Sequence, residues 1–171
     1  MLYSIRKTCC SDIPYLIEVE KSATLAFLSV PDLSWLVDAP VLSEQMHYEL
    51  INTIYAFVIS NDEGKVVGFI YAKQQDQDFY IIEFDVRSDL QKQGIGRQLI
   101  EYAISVAKAE NFSAVTLTTF ADVAWNGLFY QRLGFEILKD SEQSHYLKNA
   151  LDNEVKFGFR RESRCAMQFT V

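Results

Sequence analysis

Two carboxylates on an apolar run, a glycine-bearing junction just after them and a downstream tyrosine are the residues of this chain whose types and spacing suit chemistry. The carboxylates are Glu83 and Asp85. Apolar alternation over residues 79–86 reads as a strand, with Tyr80, Ile82, Phe84 and Val86 on one face and Ile81, Glu83 and Asp85 on the other. A sheet covered on both sides does not carry two carboxylates on one face without a cause. That cause is an edge position, a set of basic or amide partners, or a site that takes up protons. In the last case Glu83 is the first candidate base and Asp85 the second. The junction is Gln91-Lys92-Gln93-Gly94-Ile95-Gly96-Arg97. Small residues and open amides where a strand hands over to a helix suit an anion. The tyrosine is Tyr130, whose hydroxyl either donates a hydrogen bond to a reacting group or belongs to a core stripe with Phe129 and Leu133.

The elements that must hold these groups follow from periodicity and punctuation. Residues 2–7 read as a first strand. Ser11 or Asp12 caps a helix that has Pro14 in its first turn and continues through Ile13, Leu16, Ile17 and residues 20–25. A second helix spans 42–54, opened by Ser43. Residues 55–60 and 66–72 form a hairpin around Asn61-Asp62-Glu63-Gly64, and the polar run 74–78 turns into the strand 79–86. A helix over 94–110 puts Ile95, Leu99, Ala103, Val106 and Ala107 on one face. A strand at 114–119, a short helix at 124–133, and strands at 134–138 and 166–170 complete the order. The expectation is one domain over 1–171, an α/β protein with a mixed sheet and helices on both faces.

The charge balance restricts partners. Sixteen basic against 23 acidic residues give −7, a poor basis for binding nucleic acid or an anionic membrane. An anion is then held locally, with Arg87, Lys92 and Arg97 as the available cations. Cys9, Cys10 and Cys165 lack metal-ligand spacing, and His47 and His145 lie far apart, so no metal is expected. Reduced thiols, no leader-like apolar core at the start and no membrane-length apolar run point to the cytoplasm. Both histidines read as solvated or capping residues. Trp35 and Trp125 read as core, with Trp125 also a candidate wall of a pocket.

Two better-known phosphate loops fail here. The dinucleotide fingerprint needs a third small residue where Leu99 stands, and the triphosphate loop needs Gly-Lys-Ser/Thr where Gly96-Arg97-Gln98 stands. What remains, Gln91-x-x-Gly94-x-Gly96, resembles the acyl-CoA loop (Q/R-x-x-G-x-G/A) of the GNAT superfamily of N-acyltransferases. A second match is Trp125-Asn126-Gly127-Leu128-Phe129-Tyr130-Gln131-Arg132-Leu133-Gly134-Phe135, similar to the family's helix ending in F/L-Y-x-x-x-G-F. One departure is Val123, where many relatives carry an asparagine. Asn126, one helical turn before Tyr130, either bonds the pantetheine arm or caps its helix.

The resemblance implies a GNAT fold: a twisted, mostly antiparallel mixed sheet of six to seven strands with flanking helices. It implies acetyl-CoA as co-substrate, with the pyrophosphate on the amides of Gln91, Lys92, Gln93, Gly94, Ile95, Gly96 and Arg97. Pantetheine would pair with Phe84, Asp85 and Val86 like an added strand, and the Val86 amide would serve the developing oxyanion. Tyr130 becomes the acid, or a hydrogen-bond donor to the leaving sulfur, since a phenol near pKa 10 is a reluctant donor to a thiolate near 8.5. Glu83 becomes the base that receives the proton of a small-molecule amine. An ordinary glutamate is a poor match to an ammonium, the gap costing roughly 8 kcal/mol. A raised carboxyl or a water relay is therefore expected. Residues 11–54, with Phe27, Trp35 and Tyr48, would shape the acceptor pocket. The family's fold often pairs, so a homodimer is among the expectations. The alternative reading is a CoA-binding sensor of the same fold without turnover.

Overall fold

The computed structural model describes residues 2–123 and 125–171. Among the described residues seven strands form one sheet in the order β1-β2-β3-β4-β5-β7-β6. They are β1 (Ser4–Lys7), β2 (Tyr55–Ser60), β3 (Val66–Gln75), β4 (Asp78–Val86), β5 (Ala114–Phe120), β6 (Glu136–Ile137) and β7 (Arg164–Thr170). Antiparallel ladders join β1 to β2, β2 to β3, β5 to β7 and β6 to β7, while β4 and β5 run parallel. Among the described residues five α-helices accompany them: α1 (Ile13–Thr24), α2 (Glu44–Thr53), α3 (Ile95–Ala109), α4 (Gly127–Arg132) and α5 (His145–Phe157). The mixed architecture expected from the pattern is the one observed. Among the described residues no helix is long and apolar enough to cross a membrane.

The chain forms two compact units, Met1–Ala72 with Glu83–Ala103 and Lys73–Ile82 with Ile104–Val171. In the first, β-branched and aromatic residues of β2 and β3 (Val58, Ile59, Phe69, Ile70) are buried, as are Leu16 and Val19 of α1 and Ile95, Leu99 and Ile100 of α3. Ser43 caps α2, its side chain accepting from the Met46 amide at 3.2 Å. Between α1 and α2 the chain takes 3-10 turns, Leu25–Ser29 and Pro31–Val37. Leu33 and Leu36, three apart, fill the buried stripe of the second turn. Trp35 falls off that stripe and is 39% exposed, which corrects the core placement expected of it. Trp125 is half-buried.

In the second unit Phe79, Val115, Leu117 and Met167 are buried along the strands. The parallel ladder runs from Asp78↔Ala114 to Tyr80↔Thr116. α5 is an element the sequence reading lacked. Its Leu147 and Leu151 pack with Ala166 of β7, flanked by Tyr80, Leu138 and Tyr146. His145 sits exposed at its first turn, as expected. The short helix begins at Gly127 instead of the expected 124, and residue 124 lies outside the described residues.

Gly68 of β3 sets how closely β4 approaches within the first unit. A methyl there would stand 2.9 Å from the Asp85 carbonyl oxygen, 3.0 Å from Ile59 Cγ2 and 3.2 Å from Val86 Cγ2. Gly68→Ala should therefore cost about 1–3 kcal/mol in denaturant unfolding. An unchanged midpoint would mean that the strands part freely at this point.

Candidate active site

In the first unit β4 ends at Val86 and the chain turns sharply towards α3. The Arg87 amide donates to the Val67 carbonyl at 3.0 Å, holding the strand end beside β3. One 3-10 turn follows, Ser88–Leu90. Ser22 of α1 accepts from the Ser88 amide at 3.1 Å, and the two hydroxyls lie 3.1 Å apart. The Gln91 side chain then reaches back, its Nε2 donating to the Val86 carbonyl at 3.1 Å. The motif glutamine thus ties the loop to the strand it left.

Beyond Gln91 the backbone enters the left-handed region twice, at Lys92 (φ 62°) and Gly94 (φ 84°). For lysine this costs roughly 1–2 kcal/mol. Nothing lies within 4 Å of where a Gly94 methyl would stand. The first requirement for glycine at 94 is therefore its φ. The open space it faces is what an incoming ligand needs. The Gln98 amide donates to the Gly94 carbonyl at 3.1 Å and opens α3. Amides ahead of it have no acceptor within the helix. A loop of this kind, with a helix dipole behind it, suits a diphosphate.

The expected cations are largely engaged. Arg87 forks onto Asp89 at 3.0 and 3.1 Å, and Arg97 reaches Glu101 one turn on at 2.7 Å. Lys92 is exposed and stands outside any ion pair among the described residues.

Glu83 and Asp85 lie on β4 just before this loop, both half-buried. Burial of the Asp85 carboxyl, then the charges of Glu83 and Glu20, push it well above the ordinary aspartate range. Two further polar side chains are buried in the same unit, neither of them a candidate for the chemistry from sequence. Tyr71 of β3 is fully buried, and burial together with the charges of Glu20, Glu83 and Asp12 pushes its hydroxyl up, so it stays neutral. His47 of α2 is 0% exposed, with Nδ1 2.8 Å from Tyr71 Oη and Nε2 3.5 Å from Glu20 Oε2. This corrects its reading as a solvated or capping residue. His47, Leu50, Ile51 and Ile54 recur at helical spacing, so the histidine occupies a core position of α2. That spacing was a legible signal. Glu20 also accepts from the Leu42 amide at 3.0 and 3.3 Å.

Tyr130 and Asn126 belong to the second unit. Asn126 stands at the head of α4 without a side-chain capping bond. Its carbonyl accepts from the Tyr130 amide at 3.2 Å. Of the two alternatives for its side chain, capping is therefore not what it does here. At the other end the Phe135 amide donates to Tyr130 C=O at 3.1 Å and the Gly134 amide to Gln131 C=O at 3.0 Å, with Gly134 at φ 93°. This is a Schellman cap. Its accompanying apolar contact is the edge-on pair Tyr130–Phe135, centroids 5.6 Å apart. The Y-x-x-x-G-F spacing is thus the spacing of a helix cap that clamps the Tyr130 ring.

The model of the acetyltransferase (GNAT) family matches residues 25–135. The PaiA N-acetyltransferase of Thermoplasma acidophilum, solved with coenzyme A, is similar in fold, with TM-score 0.75, 17% identity and 100% of each chain covered. The ribosomal-protein-alanine N-acetyltransferase of Brucella melitensis gives a TM-score of 0.70 at 20% identity, covering 98% of this chain and 99% of its own. The N-acetylglutamate synthase of Neisseria gonorrhoeae, in complex with coenzyme A and N-acetyl-glutamate, gives 0.71 at 15% identity, covering 99% of this chain and 35% of its own.

The raised Asp85 carboxyl has a consequence for stability. The native state binds its proton more tightly than the unfolded chain does. Stability therefore falls as pH rises from about 4, the ordinary aspartate value, through the raised native one. Asp85→Asn should raise Tm at pH 7 by about 2–4 °C and lose that advantage below about pH 4. No gain at pH 7 would mean that the ionised carboxylate costs the fold nothing.

Proposed function

Because the chain belongs to the GNAT family of acetyltransferases, whose model spans residues 25–135, we propose that it carries the acetyl group of acetyl-CoA directly to the amine of a small molecule. Membership makes the chain an acyltransferase; the amine, the direct attack and the residue roles are our reading. The observation that carries it is the 91–97 loop, with two left-handed residues, a glutamine tied to the strand end and amides open ahead of α3. We read 1–171 as serving this one activity, in the cytoplasm. The free thiols Cys9, Cys10 and Cys165 accord with a reducing compartment.

Acetyl-CoA supplies the activated acyl group as a thioester. The amides of Gln91, Lys92, Gln93, Gly94, Ile95, Gly96 and Arg97 hold its diphosphate, with Lys92 as the cation at hand. Phe84, Asp85 and Val86 present strand-edge backbone to the pantetheine arm, Asn126 offers it a side-chain amide, and the Val86 amide steadies the carbonyl oxygen as charge builds. Glu83, with Asp85 beside it, takes the proton of the attacking amine. Burial, then the charges of Glu83 and Glu20, make the Asp85 carboxyl more basic than an ordinary aspartate and narrow its gap to the ammonium. Tyr130, clamped by its helix cap, donates a hydrogen bond to the sulfur as the C–S bond breaks. An acceptor that arrives as a cation suits a site lined by carboxylates.

The test is release of free CoA thiol across a panel of amines, read beside thermal shift. Acetyl-CoA at 100 times its Kd should add about 2.7 kcal/mol of stability. Gly94→Glu should abolish that shift, since glutamate resists the left-handed backbone and repels a diphosphate. Tyr130→Phe should lower kcat about 100-fold while leaving the shift intact. Tight binding without turnover on any amine would favour a CoA sensor, and the absence of any shift would remove the cradle from the argument.

A further inference from the structure

The 3-10 turn Ser88–Leu90 opens the loop with an amide that its own sequence does not cap. The residue ahead of it is Arg87, whose side chain has no acceptor and is forked onto Asp89. The cap comes from 66 residues away: Ser22 of α1 accepts from the Ser88 amide at 3.1 Å. A second bond joins the two hydroxyls at 3.1 Å. Ser22 stands in the last turn of α1, and Glu20, two positions earlier, faces elsewhere. At about 3.6 residues per turn the two side chains point about 160° apart. They flank the buried stripe Ile13, Leu16, Val19 and Ala23 from opposite sides. Glu20 accepts from the Leu42 amide at 3.0 and 3.3 Å. It thereby holds residues 38–43, the irregular link between the second 3-10 turn and α2.

The last turn of α1 therefore stands between the 91–97 loop and a segment of the 11–54 region expected to shape the acceptor pocket. We propose that Ser22 is a positioning residue that couples the two: it fastens the CoA loop to α1, and CoA seated on the loop stiffens residues 38–43 through Glu20. The inference rests on the reading of 91–97 as a CoA cradle. No new contact is needed. Leu42 parts from Glu20 when the last turn of α1 shifts, and Ser22 carries that shift to the loop. A ligand held by the loop opposes it. A segment that the donor has already stiffened has less freedom left to lose when an amine arrives.

Amide hydrogen exchange with CoA itself as the probe tests this. The Leu42 amide is held by a side chain and by no helix or strand ladder, so it exchanges when that contact opens. In the unaltered protein saturating CoA should slow it about fivefold, the worth of one hydrogen bond, together with the amides of 91–97. The Lys65 amide, held by the Asn61 side chain at 2.9 Å in a turn of the same unit, is the control and should keep its rate. Ser22→Ala should still show protection of 91–97 but leave Leu42 at its CoA-free rate. Ser22→Thr, which keeps the hydroxyl, should restore the slowing. Protection of 91–97 without slowing at Leu42 in the unaltered protein would overturn the proposal. So would faster Leu42 exchange in Ser22→Ala with the CoA-dependent ratio unchanged, which is what a merely structural role predicts. If CoA protects neither region, the cradle reading fails and the inference with it.

Discussion

Negative charge brought into an apolar interior is the constraint around which the first unit is arranged. β4 carries Glu83 and Asp85, both half-buried, on a strand that otherwise reads as core. The interior answers chiefly with geometry. Asp85 holds its proton to higher pH, Tyr71 stays neutral, Glu20 is satisfied by a backbone amide, and a histidine is fixed between phenol and carboxylate. Each of these costs stability or leaves a polar atom under-bonded. A fold selected for stability alone would place aliphatic residues there. Such a concentration of perturbed groups just before the 91–97 loop is what the proposed proton-moving site needs.

The same economy governs the loop. Its backbone is preset by a left-handed lysine and glycine, by the Gln91 bond to Val86 and by the Ser22 contact from α1. These ties come from the strand before the loop and from a helix distant in sequence. The conformation therefore belongs to the fold and need not be assembled by the ligand. A preset loop does not lose its ordering entropy on binding. In the second unit a helix cap serves Tyr130 in a comparable way, through two backbone bonds and one ring contact.

Much of this was legible in the chain because it is local. Glycine at 94 and 96, the strand before them and the amphipathic helix after them are short-range signals, as is the 130–135 cap, and they are observed where expected. What escaped was decided by distance. Tyr71 lies 24 residues from His47, and nothing near His47 in sequence announces that pairing. The helical spacing of His47 with Leu50 and Ile51 was available, but a lone histidine on an apolar stripe reads equally as solvated. Trp35 was misplaced because a 3-10 turn has a period of three, so an i, i+3 leucine pair excludes the residue between them. α5 went unread although Leu147 and Leu151 stand four apart, because the polar residues around them blur the stripe.

The engaged arginines of the loop bear on selectivity. Arg87 and Arg97 each hold a carboxylate of the chain itself. An arriving anion therefore meets fixed amides with one ready cation, instead of a strongly positive surface. Bare charge is a weak credential at such a door, because a stray sulfate or nucleotide must compete with the arginines' own partners. Recognition in the proposed site then depends on fit along a directed array of N–H groups, which suits a protein of net negative charge.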